Sequence, residues 1–178
     1  MNKLAIALSA ALSLGAATSA SAADGVINFE GKIEALTCSI GVGSTVDDTL
    51  VLPTVSPTTV VSGAAARQQA FSLTMGTATD KCAAGAITVS FEDTNLDADG
   101  YLENTEAVGS GEPGADGLRM AIYESGAAVN LKTHELKGTV DPSGIISFPL
   151  VASYEPTVAG TAPGAGTFKS ALHVSVQY

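Results

Sequence analysis

The sequence predicts an all-β protein built as an antiparallel sandwich or barrel. Short β-branched runs recur along it, separated by Gly, Pro, Asp and Ser, which is the signature of strands joined by turns. Helical periodicity is hard to find past the first two dozen residues. Tryptophan is absent, aromatic residues make up 5% of the chain, and there are 19 glycines. The clearest runs are Val26–Ile40, Thr49–Val55, Ala70–Met75, Ala86–Phe91, Leu118–Tyr123, Ile145–Tyr154 and Thr167–Tyr178. No linker divides them, so a single folded domain is expected.

The chain opens with a basic start, Met1 to Lys3, followed by an apolar run from Leu4 to Ala17. That run is shorter than the ~20 residues that span a bilayer. Thr18-Ser19-Ala20-Ser21-Ala22 then supplies the small residues of a cleavage site, so residues 1–22 read as a secretory signal cut after Ala22 or Ala23. About 155 residues remain, enough for one domain with a proper core. The leader holds one of the eight basic residues and none of the 18 acidic ones, so the exported part is strongly acidic. Such a surface repels phosphate backbones and anionic head groups, which excludes nucleic acid as a partner.

Behind the leader, Ile27, Phe29, Gly31 and Ile33 share one face, while Asn28, Glu30 and Lys32 share the other. Period two marks a half-buried strand. Cys38 and Cys82 are the only cysteines. In an oxidising compartment they are expected to pair, closing a loop of about 45 residues and stabilising by ~3–4 kcal/mol. The last run has the same alternation as the first. Phe168, Ser170, Leu172, Val174, Val176 and Tyr178 fall on one face; Lys169, His173, Ser175 and Gln177 fall on the other. As the last strand it needs a second neighbour or must sit on an edge. Lys169 and His173 are its main protection against pairing with another chain.

In this order the runs resemble the pilin subunits of type 1-like fimbriae, assembled through the chaperone–usher pathway of Gram-negative bacteria. The residues that carry the likeness are GVINFEGKI before Cys38 and LVLPTVSPTTVVSGAAARQQAFSLTM leading to Cys82. GLRMAIYESGAAVNL, FPLVASYEPT and TFKSALHVSVQY follow them. Tyr178 stands last, where the family usually has its tyrosine penultimate. The resemblance implies an incomplete immunoglobulin-like sandwich over residues 34–178, missing its last strand, with residues 23–33 as an N-terminal donor-strand extension. The acceptor edge would run through Phe168, Leu172, Val174, Val176 and Tyr178. The implied partners are identical or homologous pilin subunits, a periplasmic chaperone and an outer-membrane usher, with a host surface receptor reached through the fimbria. In the donor, Gly25, Ile27, Phe29, Gly31 and Ile33 would lie along a neighbour's groove. Gly31 has two readings: it fits a shallow part of that groove, or it bends the subunit's own first strand.

Asn95 to Glu106, NLDADGYLENTE, follows the calcium-loop pattern. Asn95, Asp97 and Asp99 offer oxygens, Gly100 the turn, Tyr101 a carbonyl and Glu106 the closing carboxylate. Against it, Asn occupies the first position and the strand-like ITVSF replaces the entering helix. Eight of the 18 acidic residues lie between Glu92 and Asp116, so a solvated acidic loop would look the same. No other cofactor is expected. Catalysis has no support: the chain lacks GxSxG, HExxH and GxxxxGK[ST], and His134 and His173 are isolated. The expected function is a structural fimbrial subunit that polymerises head-to-tail by donor-strand exchange and so supports cell adhesion. A minor adaptor or tip subunit, or a secreted sugar-binding module, is the alternative. A secreted hydrolase comes last.

Overall fold

Alternating burial along the middle strands sets the architecture. In GAITVSF, Ile87, Val89 and Phe91 are buried while Thr88 and Ser90 are only half-buried, as period-two geometry requires of a strand with one face on a core. The computed structural model describes residues 38–43, 49–106 and 113–178. The signal segment 1–22 and the donor extension 23–33 lie outside these residues.

The described chain folds as β1 (Ile40–Val42), α1 (Pro57–Ser62), β2 (Gln68–Met75), β3 (Gly85–Phe91) and β4 (Leu102–Glu103). It continues through β5 (Leu118–Glu124), β6 (Ala127–Ala128), β7 (Glu135–Val140), β8 (Ile146–Pro156) and β9 (Val174–Gln177). One sheet runs β1-β2-β8-β5-β4, with β6 beside β5; the other runs β7-β3-β9. Every strand pair is antiparallel. Inward side chains of the two sheets form one core, with Met75, Val89, Ile122, Leu136 and Ala152 among its members. This is the sandwich that the alternating runs predict. No helix among the described residues is long and apolar enough to cross a membrane.

Four elements differ from the sequence-based expectation. Thr49–Val55 forms no strand. Its period-two burial survives, with Leu50 and Leu52 half-buried against the core and Val51 79% exposed. After it comes α1, which the strand count missed. Ser56 caps this helix by accepting the Thr59 N–H at 3.3 Å, Pro57 opens it, and the Gly63 N–H closes it on the Thr59 carbonyl at 2.8 Å.

The KTHELKG stretch, polar and hairpin-like in sequence, contributes β7. Charged Glu135 and Lys137 face outward while Leu136 and Val140 are buried. Gly138 interrupts the pattern because a Cβ there would meet Ile146 Cδ1 at 2.4 Å. Residues 26–37 of the first run lie outside the described residues; its end at Ile40 opens β1, which carries on to Val42. The last run is regular strand only from Val174 to Gln177, not from Thr167. The facing chain leaves β3 at Phe91 to make a polar turn, and among the described residues the 167–173 stretch keeps only the single parallel bridge of Thr167 to Gly114.

Candidate functional site: an open groove between the sheets

β1 lies at one end of the larger sheet and β9 at one end of the smaller. Between them the core is open along a groove of about 760 Å³. One wall is Ile40–Val42 with Leu50 and Leu52; the other is Phe168 to Val174. Leu73, Leu102, Met120, Ile122 and Ala152 form the floor. Floor residues such as Ile122 (2% exposed) are buried, whereas wall residues Ile40, Leu52, Phe168, Leu172 and Val174 are only half-buried. Apolar walls left half-covered are the mark of a core lacking one layer.

The predicted edge residues divide. Phe168, Leu172 and Val174 line the groove, and Phe168 packs edge-on against Tyr154 with ring centres 5.7 Å apart. Val176 packs against the core further along. Tyr178 is exposed and donates its hydroxyl to Cys38 Sγ at 2.8 Å. Burial, aided by the Asp80 charge, raises the Tyr178 pKa. Backbone polarity along the wall also alternates. The carbonyls of Thr167, Lys169 and His173 accept from Ala115, Thr105 and Glu92 N–H groups, and that of Ala171 accepts from the Asn95 amide. These bonds all run toward the protein body, so extended geometry turns the polar groups of residues 168, 170, 172 and 174 toward the groove. This is a hydrogen-bonding edge.

Cys38 and Cys82 form a disulfide with Cα atoms 4.9 Å apart. It ties the residues leading into β1 to those leading into β3. Beside it, Asp80 Oδ2 accepts the Ser39 N–H at 2.7 Å. Gly76, at φ 81°, lets the chain pass close to this junction; a Cβ there would lie 2.1 Å from the Gly144 carbonyl oxygen. The wall containing β1 is thus fastened at its base by a covalent bond and a charge-assisted hydrogen bond.

The acidic loop is a tight hairpin. Asn95 takes φ 60° and Gly100 φ 81°. Asp97 Oδ1 accepts the N–H groups of Asp99 and Tyr101, both at 2.9 Å. Asp97 Oδ2 and Asp99 Oδ2 hold Arg119 Nη1 at 2.9 and 2.8 Å, and that guanidinium lies 4.1 Å from the Tyr101 ring centre. Glu106 turns to Lys169 Nζ at 2.7 Å, and the Asn95 amide donates to Ala171. The residues of the calcium pattern are therefore spread over separate partners, and the cation held by Asp97 and Asp99 is an arginine. Among the described residues no group of three or more His, Cys, Asp or Glu side chains is placed to hold a metal ion. Sequence reasoning had no means of finding Arg119, which reaches the turn only through the pairing of β5 with β4. His134 bonds to Glu124 at 2.8 Å, and His173 stands on the groove wall.

Sandwich and groove together define an incomplete immunoglobulin-like domain, open where one more strand would close the core. No family model matches the chain. It is 31% identical over 154 residues to the major fimbrial subunit SMF-1 of Stenotrophomonas maltophilia, covering 82% of this chain and 88% of the relative. Among solved structures, the P pilus rod subunit PapA superposes with a TM-score of 0.58 at 16% identity, over 79% of this chain and 98% of that one. A chaperone–usher pilus subunit gives 0.54 at 15% identity, over 88% and 96%. The chain belongs to the fimbrial subunits.

Proposed function

We propose that this chain is a structural subunit of a cell-surface fimbria, polymerising head-to-tail by donor-strand exchange. Residues 23–33 of one copy enter the groove of the next. The observation that carries the proposal is the open apolar groove walled by Phe168–Val174. Adding a strand to a sheet edge is a known form of β-augmentation, in which backbone bonds provide affinity and pockets for alternate side chains provide specificity. Lengths agree: Ile27–Ile33 and Phe168–Val174 each span roughly 23 Å when extended. Burying Ile27, Phe29 and Ile33 would give ~1.5–3 kcal/mol each, and ladder bonds ~0.5–1.5 kcal/mol each. Contact between identical subunits through different surfaces does not close on itself, so it yields a filament.

On this reading a periplasmic chaperone fills the groove before assembly and an outer-membrane usher directs it. A subunit working in this way needs no catalytic residue. Likeness to a major subunit favours a place in the shaft over an adaptor or tip. Deleting residues 23–33 tests the donor: the shortened subunit should still accept a strand but form no long filaments by electron microscopy. Long filaments from the shortened subunit would refute the assignment.

A further inference from the structure

One side chain outside the groove makes an unusual number of bonds to its wall. Asn104 follows β4, and its amide makes four hydrogen bonds. Nδ2 donates to the carbonyls of Ala115 (3.1 Å) and Thr167 (2.9 Å); Oδ1 accepts the N–H groups of Glu106 (3.2 Å) and Lys169 (3.0 Å). Two donors and two acceptor positions are the full capacity of an amide. Three stretches of chain are joined through this one group, two of which otherwise share only the single parallel bridge between Gly114 and Thr167.

The wall depends on such help. Residues 167–173 form no strand, yet they must stay extended for Phe168 and Leu172 to face the groove. Their own hydroxyls do not hold them, since Thr167 Oγ1 and Ser170 Oγ are buried without a hydrogen-bond partner. At Thr167 the backbone bonds to Pro113 and Ala115; beyond that bridge the near end is held by Asn104 together with Thr105, whose N–H and hydroxyl both donate to the Lys169 carbonyl at 2.8 and 2.9 Å. The close approach is reinforced at Gly166, where a Cβ would lie 2.3 Å from the Pro113 carbonyl oxygen.

We propose that Asn104 is a positioning residue of the groove: its amide extends the single bridge at Thr167 and holds Thr167–Lys169 extended, so that the wall is preformed to receive a strand. The proposal rests on the strand-accepting reading above. Preforming matters because each wall residue ordered only on binding subtracts its conformational entropy from the affinity.

The test uses the full oxidised chain and its Asn104→Ala and Asn104→Asp variants. Two readouts are taken: binding of a fluorescein-labelled peptide of residues 23–33, and residue-resolved hydrogen exchange. Asn104→Ala should bind the peptide roughly tenfold or more weakly. Exchange should quicken at least tenfold at Glu106 and Lys169, while the amides of β3, β5 and β8 keep their protection. Asn104→Asp retains the acceptor atoms and is nearly isosteric. It should regain protection at Glu106 and Lys169 and bind with intermediate strength, and it serves as the variant if the alanine form does not fold. Unchanged exchange at Lys169, or peptide affinity equal to the parent in a folded variant, overturns the proposal. Failure of the parent chain to bind the peptide would count against strand acceptance itself, and hydrogen exchange would still decide whether Asn104 holds the wall.

Discussion

The two outer strands of the smaller sheet, β7 and β9, flank the same central strand and meet opposite fates. β7 pairs with β3 over six residues and buries Leu136 (1% exposed) and Val140 (2%). Its outward face carries Glu135 and Lys137, joined by an ion pair at 2.9 Å. β9 pairs over four residues, and Val174 and Val176 remain half-buried although they are no less apolar. The valines do not differ in chemistry. Over β7 the larger sheet supplies a covering layer, and over β9 the groove leaves that layer out. Burial is decided by what lies opposite, so an edge can be finished or left open with nearly the same residues.

The largest expected effect comes from making β9 resemble β7. Appending GVINFEGKI after Tyr178 through a short flexible linker should fill the groove within one chain. A gain of several kcal/mol would raise Tm by on the order of 10–20 °C. No rise in a thermal melt would contradict the missing-layer account. Next is the disulfide that fastens the other wall. Replacing Cys38 and Cys82 together by Ser should cost about 3–4 kcal/mol, read as a lower urea midpoint. Third, the valines should separate by context. Val140→Ala should cost the subunit about 2 kcal/mol, as truncation in a packed core does. Val174→Ala, on the groove wall, should cost clearly less in the subunit alone but more in the self-complemented form. Equal costs in the subunit would erase the contrast between the two strands.

Two smaller effects concern the surroundings of the groove. Arg119→Met should destabilise the hairpin by about 1–2 kcal/mol, leaving Asp97 and Asp99 without their cation. Calcium at millimolar concentration should leave the Tm of the parent chain unchanged, since these carboxylates already hold Arg119. A calcium-dependent rise would support the ion-binding expectation. Finally, burial raises the pKa values of Tyr123, Tyr154 and Tyr178, with Glu155 adding to the shift at Tyr123. An acid whose folded pKa lies above its unfolded value stabilises fully below that unfolded value, near pH 10 here. The contribution is lost as pH rises through the folded value. The urea midpoint should therefore fall above pH 10, and Tyr123→Phe should flatten that fall.

Strands with unbroken alternation were legible without coordinates. Ile87, Val89 and Phe91 read as one buried face and form one, and so do Phe148, Leu150 and Ala152. β7 was not legible, because Gly138 and two charges hide Leu136 and Val140 in a polar, hairpin-like stretch. Helix α1 was signalled by Ser56-Pro57 but lost among the β-branched residues around it. At the site, the apolar residues of the last run were visible, while the atoms that shape them were not. Asn104 and Arg119 act on residues distant in sequence, through contacts that exist only once β4 and β5 are paired.

By itself the sequence determined the all-β class, the apolar faces and the pair of cysteines, because local alternation and composition encode them directly. Tertiary structure alone decided where the core is left open and which side chains hold the opening in shape. Local pattern states which residues avoid water. It does not state which of them find a covering layer, since that depends on the strand opposite.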